Sequence, residues 1–307
     1  MSFELIVLGS SSALPTSKRN TAAHLLNVNE RFFLIDCGEG TQIQLRKNNL
    51  SPLRINHIFI SHLHGDHVFG LFGLLSSMRL LGREVPMNLY GPPMLEDMMR
   101  THFSYFGDPP FQLTFHAVND RELVYEDKWI RVIALSLKHR TETYGYLFKE
   151  KPRLLNVVKE KIEQYGLGIA AIKKIKEGED FTTDSGTVIP NRELTLPPVV
   201  QRSYAYLSDT AYVPEIAEEL DGVDLLFHEA TFLQKDEALA RDTFHSTALQ
   251  AAQMAKLCNA KTLLIGHFST RYKDEKILEN EARTVFPNTR VVNDGDRYSV
   301  AEQRIAE

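Results

Sequence analysis

Apolar residues in this chain fall into short runs, each stopped by glycine or by a small polar cluster. Runs at 3–8, 22–28, 31–36 and 55–60 have the length and the β-branched and aromatic content of strands. Glycine-bearing turns follow several of them, at Gly9, at Gly38 and Gly40, and at Gly65. A helical spacing then covers 68–81 and stops at Gly82. Next come a strand at 87–90, a helix at 93–103 with Pro93 in its first turn, and strands at 111–118, 122–126 and 129–137. Further along, strands at 203–207, 224–227 and 262–265 alternate with helices at 214–220, 246–257 and 274–285. Alternating strands and helices, with polar residues gathered just after strand ends, predict an α/β sandwich whose site lies along one sheet edge.

Residues 149–200 break the pattern. Helices are expected at 153–165 and 169–176, with a turn at 166–168 and a hairpin-like turn at 184–187. Residues 149–179 carry eight Lys and Arg against five Glu and few large apolar side chains. This predicts a protruding arm inserted in a single domain of 1–307; the competing reading is a salt-bridged surface helix.

Composition narrows the class. With 307 residues, 43% hydrophobic and 24% charged, the chain has an ordinary globular composition and can bury a large core. The net charge of −5 argues against general affinity for nucleic acid, although local charge decides such binding. Cys37 and Cys258 form no disulfide framework, which points to reduced thiols and the cytoplasm. The first residues read as a strand rather than a signal peptide, and no apolar stretch is long enough for a membrane span.

The chemistry concentrates in Ser61-His-Leu-His-Gly-Asp-His67, directly after the strand at 55–60. Imidazole and carboxylate are first-row metal ligands, and packing at a strand mouth has no use for three histidines and an aspartate. His139, Asp209 and His267 each also follow an apolar strand-like run.

The motif at 61–67 resembles that of the metallo-β-lactamase superfamily, and the whole set resembles the short form of ribonuclease Z, the tRNA 3′-processing endoribonuclease family. Supporting matches run along nearly the whole chain. They are Leu8-Gly-Ser-Ser-Ser-Ala-Leu-Pro-Thr-Ser-Lys-Arg-Asn20, Asp36-Cys-Gly-Glu-Gly-Thr-Gln42, Lys138-His-Arg-Thr-Glu-Thr-Tyr-Gly-Tyr146, Leu207-Ser-Asp-Thr210, His228-Glu-Ala-Thr231, Phe244-His-Ser-Thr247 and Gly266-His-Phe-Ser-Thr-Arg-Tyr272. The resemblance implies an αββα four-layer sandwich with a protruding exosite arm. It implies two Zn²⁺ per subunit, with Mn²⁺ an alternative. One ion would be held by His62, His64, His139 and a bridging Asp209, the other by Asp66, His67, His267 and Asp209 again. Two ions roughly 3.5–4 Å apart clamp the attacking and leaving oxygens of a phosphodiester.

By the same resemblance Asp66 handles the proton of the attacking hydroxide, and His245 protonates the departing 3′ oxygen with Glu229 orienting it. The bland reading of His245 is a neighbour of a helix start capped by Ser246 or Thr247. Asp36 would orient a ligand histidine or simply cap its own turn. His228 reads better as a buried structural histidine. Lys18, Arg19 and Asn20 match the family's loop near the cleavage site, where cations suit phosphate contact. Ser269 and Arg271 are further candidates for the substrate phosphate. Lys173, Lys174 and Lys176 would give the arm its grip on the tRNA elbow, although the family's prolines are missing from this arm. The implied partners are precursor tRNA and a second subunit in a homodimer. The implied reaction removes the 3′ trailer after the discriminator nucleotide, leaving a tRNA 3′-hydroxyl and a trailer 5′-phosphate. The competing function is a small-molecule phosphodiesterase or arylsulfatase on the same fold.

Overall fold

A computed structural model describes residues 2–305, so a single domain of 1–307 includes three residues outside the described ones. Two seven-stranded sheets dominate it. The first contains β1 (Phe3–Gly9), β2 (Ala23–Val28), β3 (Arg31–Ile35), β4 (Ile55–Phe59), β5 (Met87–Gly91) and β6 (Leu113–Ala117) in that spatial order. The second contains β7 (Leu123–Glu126), β8 (Ile130–Ser136), β9 (Tyr144–Glu150), β12 (Ser203–Leu207), β13 (Leu225–Glu229), β14 (Thr262–Gly266) and β15 (Thr289–Val291). The last strand, β16 (Arg297–Ser299), returns to pair with β1 and so ties the chain's end to the first sheet.

The alternation along each strand sorts side chains into three cores. Leu5 and Val7 of β1 face the inter-sheet layer with Phe33, Phe59, Tyr146, Phe148, Tyr204 and Phe227. Ile6 and Leu8 face the other way, onto Leu71, Leu74 and Met78 of helix α2 (Gly65–Leu80) and Met99 of α3 (Met94–Phe106). On the far side, Leu226 and Leu263 pack on Ala251 and Ala255 of α8 (Ala248–Leu257) and on Leu278 of α9 (Lys276–Arg283). Helix, sheet, sheet, helix is therefore the layering, and each fully buried Leu or Phe stabilises it by about 1.5–3 kcal/mol.

Several elements differ from the sequence expectations. Strand β9 had no counterpart among them, yet it sits between β8 and β12 in the second sheet. It runs through Glu150, so the insertion begins at Lys151 rather than at 149. The helix expected over 153–165 is confined to α4 (Lys159–Gln164), because the residues before it pair tertiarily. Leu155 N donates to Lys176 O, Val158 N donates to Leu194 O, and Val157 bridges Thr195. The helix expected over 214–220 is one 3-10 turn, Pro214–Ile216, followed by turns up to Gly222. Helices α1 (Thr41–Lys47) and α7 (Glu237–Thr243) had no counterpart either.

Helix α5 (Ile169–Lys176) lies where the spacing placed it, and a small hairpin, β10 (Phe181–Thr182) with β11 (Val188–Ile189), frames the 183–187 turn. The helix α6 (Asn191–Leu194) completes this insertion. Leu167, Ile175 and Leu194 form its own small buried cluster, separate from the three cores of the sandwich. No helix among the described residues is long and apolar enough to cross a membrane.

Candidate metal centre

Strand β4 ends at Phe59, and the next residues, 61–67, cross the sheet edge and enter α2, whose N-cap is His64. Asp36 leaves β3 beside it. Two close contacts lock these segments together: Cys37 N donates to His67 O, and Gly70 N donates to Cys37 O, both at 2.8 Å. A Cβ at Gly70 would lie 2.0 Å from Gly38 O, so only glycine lets α2 come this near. His139 follows β8, Asp209 follows β12 and His267 follows β14. Asp36, Asp209 and His267 all have φ between +50° and +60°, a left-handed conformation that aspartate and histidine rarely adopt. Each of the three stands within two residues of the end of a strand.

The seven histidines and aspartates converge as two groups sharing one carboxylate. The ligand atoms of His62, His64, His139 and Asp209 lie within 4.8 Å of one another, as do those of Asp66, His67, His267 and Asp209. Asp209 divides between them. Its Oδ2 is 3.6 Å from His62 Nε2 and 3.8 Å from His139 Nε2, while its Oδ1 is 3.2 Å from His67 Nε2 and 3.0 Å from His267 Nε2. Asp66 Oδ2 lies 3.3 Å from both His67 Nε2 and His267 Nε2.

Second partners decide which nitrogen of each ring is bare. Asp36 Oδ2 accepts from His67 Nδ1 at 2.7 Å, from Ser61 Oγ at 2.8 Å and, across the sandwich, from Tyr206 OH at 2.7 Å. With its proton engaged there, Ser61 Oγ accepts from His62 Nδ1 at 3.0 Å. His139 Nδ1 donates to Phe244 O at 2.9 Å. Thr231 Oγ1 donates to Glu229 Oε2 at 2.6 Å and accepts from His267 Nδ1 at 3.0 Å. Four imidazoles thus present an Nε2 lone pair to the centre. His64 presents Nδ1 instead, 3.0 Å from His62 Nε2 and 3.3 Å from His139 Nε2.

Bare nitrogens packed this closely repel unless a cation lies between them. His67 Nε2, fully buried, makes no hydrogen bond at all. The donor set therefore fits a divalent ion in each group, with N and O ligands of the kind Zn²⁺ takes. Burial holds His62, His64 and His139 below the ordinary imidazole range and hence neutral; burial would lower His67 too, but the Asp209, Asp66 and Asp36 carboxylates raise it well above that range, so positive charge is favoured at this spot. Burial would raise the Asp66 and Asp209 carboxyls, but the surrounding histidines hold both well below the usual range.

Beside the centre, Glu229 is wholly buried and its Oε1 accepts from His245 Nδ1 at 2.7 Å. Thr210 N and Thr231 N donate to the same carboxylate, each at 3.0 Å. Burial would lower the His245 pKa, but the Glu229 charge and hydrogen bond raise it to about 9. The cap of α8 is Thr247, in a capping box with Gln250, while Ser246 Oγ donates to Thr210 O at 2.6 Å. His245 is thereby left to face an open pocket of about 370 Å³ that His64, Asp66, His139, Asp209 and His267 also line. His228 points elsewhere, its Nδ1 donating to Glu229 O at 2.7 Å inside the core.

The substrate-contact candidates separate. Lys18 is exposed and Ser269 lines the pocket, while the Arg271 guanidinium stacks 5.1 Å over Phe232. Arg19 is only 9% exposed, and its guanidinium donates to Ser10 Oγ, Val292 O, Asn293 Oδ1 and Glu275 Oε1. Those acceptors engage four of its five N–H groups, so the guanidinium fastens the loop and keeps one donor free. Asn20 likewise is held by Asp294 Oδ2 through both its backbone and side-chain nitrogens. Lys173 and Lys174 are exposed and Lys176 is half-buried, all on α5 and none in the pocket with the metal ligands. Sequence reasoning assigned nothing to Ser61, Tyr206 or Thr231, which set the ring orientations, or to Arg140, which lines the pocket. Ser61, Thr231 and Arg140 stand inside the quoted motifs; Tyr206 carried no local signal.

A family profile described as "Beta-lactamase superfamily domain" matches residues 160–268, and one described as "Anti-Pycsar protein Apyc1" matches 3–104. The chain is 46% identical over 290 residues to "Ribonuclease Z" of Bacteroides thetaiotaomicron, covering 94% of this chain and 92% of that protein. It is 44% identical over 301 residues to "Ribonuclease Z" of Porphyromonas gingivalis, covering 97% and 99%. Among solved structures, the short form of human tRNase Z matches with TM-score 0.70 and 27% identity over 97% of this chain and 99% of that one. The metallo-β-lactamase fold protein YhfI of Bacillus subtilis matches with TM-score 0.71 at 17% identity, over 98% of this chain and 100% of that one; at that identity it shows the fold alone.

Proposed function

Since the chain belongs to the ribonuclease Z family, we infer that it is a metal-dependent endoribonuclease that removes the 3′ trailer from precursor tRNA. The observation that carries the chemical reading is the division of Asp209, one carboxylate oxygen toward each ligand group. His62, His64, His139 and Asp209 would hold one Zn²⁺, and Asp66, His67, His267 and Asp209 a second. When bound, the ions supply a nucleophilic water near neutral pH and positive charge for the phosphoryl oxygens.

The chain's own groups do the rest. Asp66, ionised and at the pocket floor, orients the proton of the attacking water. His245 carries a proton held by Glu229 and delivers it to the departing 3′ oxygen, leaving a 3′-hydroxyl on the tRNA. Glu229 keeps the proton on Nδ1 in place, so that Nε2 is the atom that gives. Ser269, which lines the pocket, and the exposed Lys18 would meet the flanking phosphates, and the exposed cations of α5 would meet a phosphate backbone at a distance from the cut.

We assign the protein to the cytoplasm on its two buried free cysteines and its tRNA-processing relatives. A homodimer lets one subunit's arm hold a tRNA that the other cuts. The exposed Phe69 of α2 and Met94, Tyr105 and Phe106 of α3 offer an apolar face for it. The small-molecule reading has less support, since relatives above 40% identity over nearly the whole chain carry the ribonuclease name.

The test is cleavage of 3′-extended precursor tRNA mapped to the nucleotide, with bis(p-nitrophenyl) phosphate as the small diester. An arm deletion of 159–193 closed by a two-residue Gly-Gly turn is geometrically permitted, because Val158 and Leu194 are already hydrogen-bonded neighbours beside an antiparallel bridge. Wild type should cut after the discriminator nucleotide, and the deletion should lose tRNA cleavage while keeping the small diester. A wild type that ignores tRNA and hydrolyses the diester would remove the ribonuclease reading and leave the metal centre standing.

A further inference from the structure

A hollow larger than the pocket at the metal centre lies elsewhere among the described residues. A cleft of about 460 Å³ lies at the root of the arm, between the β7–β8 turn, the first arm residues and the chain's last segment. Its size falls in the range of small-molecule sites. One wall is Trp129, partly exposed and rigidly placed. Asp127 Oδ1 accepts from Trp129 N at 2.7 Å and from Ile130 N at 2.9 Å, and Lys151 N donates to Trp129 O at 2.7 Å. Leu154, Pro197, Pro198 and Val199 supply the other apolar surface, and Leu154 is 63% exposed. The cleft is built rather than accidental. Within its lining Leu155 N donates to Lys176 O at 3.0 Å, and Arg304 Nη1 donates to Pro197 O at 2.6 Å.

Its charge is one-sided. Lys128, Arg153, Lys176 and Arg304 line it, with Glu302 the opposing carboxylate, in a chain whose net charge is −5. Glu302 is bonded to Arg153, which Glu150 also holds. Lys128 Nζ lies 5.2 Å over the Trp129 ring, and neither it nor Lys176 has a carboxylate partner among the described residues. A flat aromatic wall, an apolar opposite wall and two cations without counter-charges match one ligand chemistry: a heteroaromatic base joined to a phosphate.

We propose that the arm-root cleft is a nucleotide-binding site, with the base stacked on Trp129 and the phosphate held by Lys128 and Lys176. The same chemistry is presented by a free nucleotide and by an unpaired nucleotide of a bound RNA. The site is distinct from the metal pocket, with which it shares no lining residue.

Trp129 is the chain's single tryptophan, so its emission reports this cleft and nothing else. The full-length protein is titrated in one arm with GMP and in another with mature tRNA, with inorganic phosphate as control, following Trp129 emission and its protection from acrylamide. Saturable quenching by GMP assigns the site to a free nucleotide. Quenching and protection by tRNA without any effect of GMP assign it to the RNA. In either case Lys128→Glu with Lys176→Glu should weaken the response about tenfold or more, and the paired Lys→Arg variants should restore it. Circular dichroism shows that the charge-reversed protein is folded. Unchanged emission at saturating tRNA and GMP overturns the proposal, as does a response that phosphate reproduces or that the charge reversals leave intact. Because emission is read apart from cleavage, failure here leaves the ribonuclease reading untouched.

Discussion

Around Asp209 the ends of β4, β8, β12 and β14 bring their histidines and aspartates together, mostly buried, with a second group holding most of the rings. In the arm, Leu167, Ile175 and Leu194 alone are buried, and the cations stand on the exposed side of a helix eight residues long. The contrast follows from the physics of the two tasks. Chemistry at a phosphorus atom needs donors placed to fractions of an ångström, which only rigid strand ends and interlocked hydrogen bonds supply. Gripping a polyanion needs charge and reach, and a few kcal/mol of local stability suffices for that. Three of the left-handed non-glycine residues, Asp36, Asp209 and His267, stand at the centre, and none lies within the arm.

The largest effect should come from the shared carboxylate. Asp209→Ala removes a ligand from both groups at once, so tRNA cleavage and small-diester hydrolysis should both vanish, together with bound metal measured by plasma mass spectrometry. Retention of a full metal complement would show that the two groups do not share it.

His245→Ala sharpens the comparison inside the centre. Loss of a general acid costs about 10²–10⁴-fold, and that loss should appear with precursor tRNA. Bis(p-nitrophenyl) phosphate, whose leaving group departs without a proton, should be cleaved at close to the wild-type rate. Equal losses on both substrates would place His245 in ion or phosphate binding instead.

A smaller change is expected from Asp36→Asn, which touches no substrate. It weakens the hydrogen bond that aims His67 and should lower metal affinity by roughly 10–100-fold, as outer partners of metal ligands typically do. Competition with a chelator measures this directly, and an unchanged affinity would make Asp36 a turn-capping residue alone.

The effect expected to reach the metal centre least belongs to the arm. Ile175→Ala should cost about 2–4 kcal/mol within its small cluster. Amides of 157–195 should lose hydrogen-exchange protection while those of β13 and β14 keep theirs. Parallel loss in the central strands would show that arm and sandwich unfold as one unit.

How much of this was legible beforehand varies with the range of the interaction. The alternation in 3–8 and 55–60, and the helical spacing of 68–81 and 169–176, placed strands and helices within a few residues of where they lie. Those patterns are local, set by which neighbours two, three or four residues apart share a face. The ligand histidines were legible for the same reason, since each follows an apolar run into a turn. Strand β9 was not, because Tyr-Gly-Tyr-Leu-Phe-Lys-Glu lacks alternation when both its faces are buried. It lies between a ligand loop and a charged insertion. The helix over 153–165 is shorter than its spacing suggests, because backbone donors that a helix would satisfy locally bond to residues 21 and 36 positions away, Leu155 N to Lys176 O and Val158 N to Leu194 O.

By itself, then, the chain's order of residues determined the elements, the kinds of ligand and the turns that bear them. Tertiary structure alone decided which nitrogen of each histidine is bare, that Tyr206 reaches across the sandwich to Asp36, and that Arg19 is an internal brace. It also decided that Trp129 walls a cationic cleft. Hydrogen-bond direction and electrostatic context depend on which distant strands come to lie side by side, and no local period in the sequence carries that information.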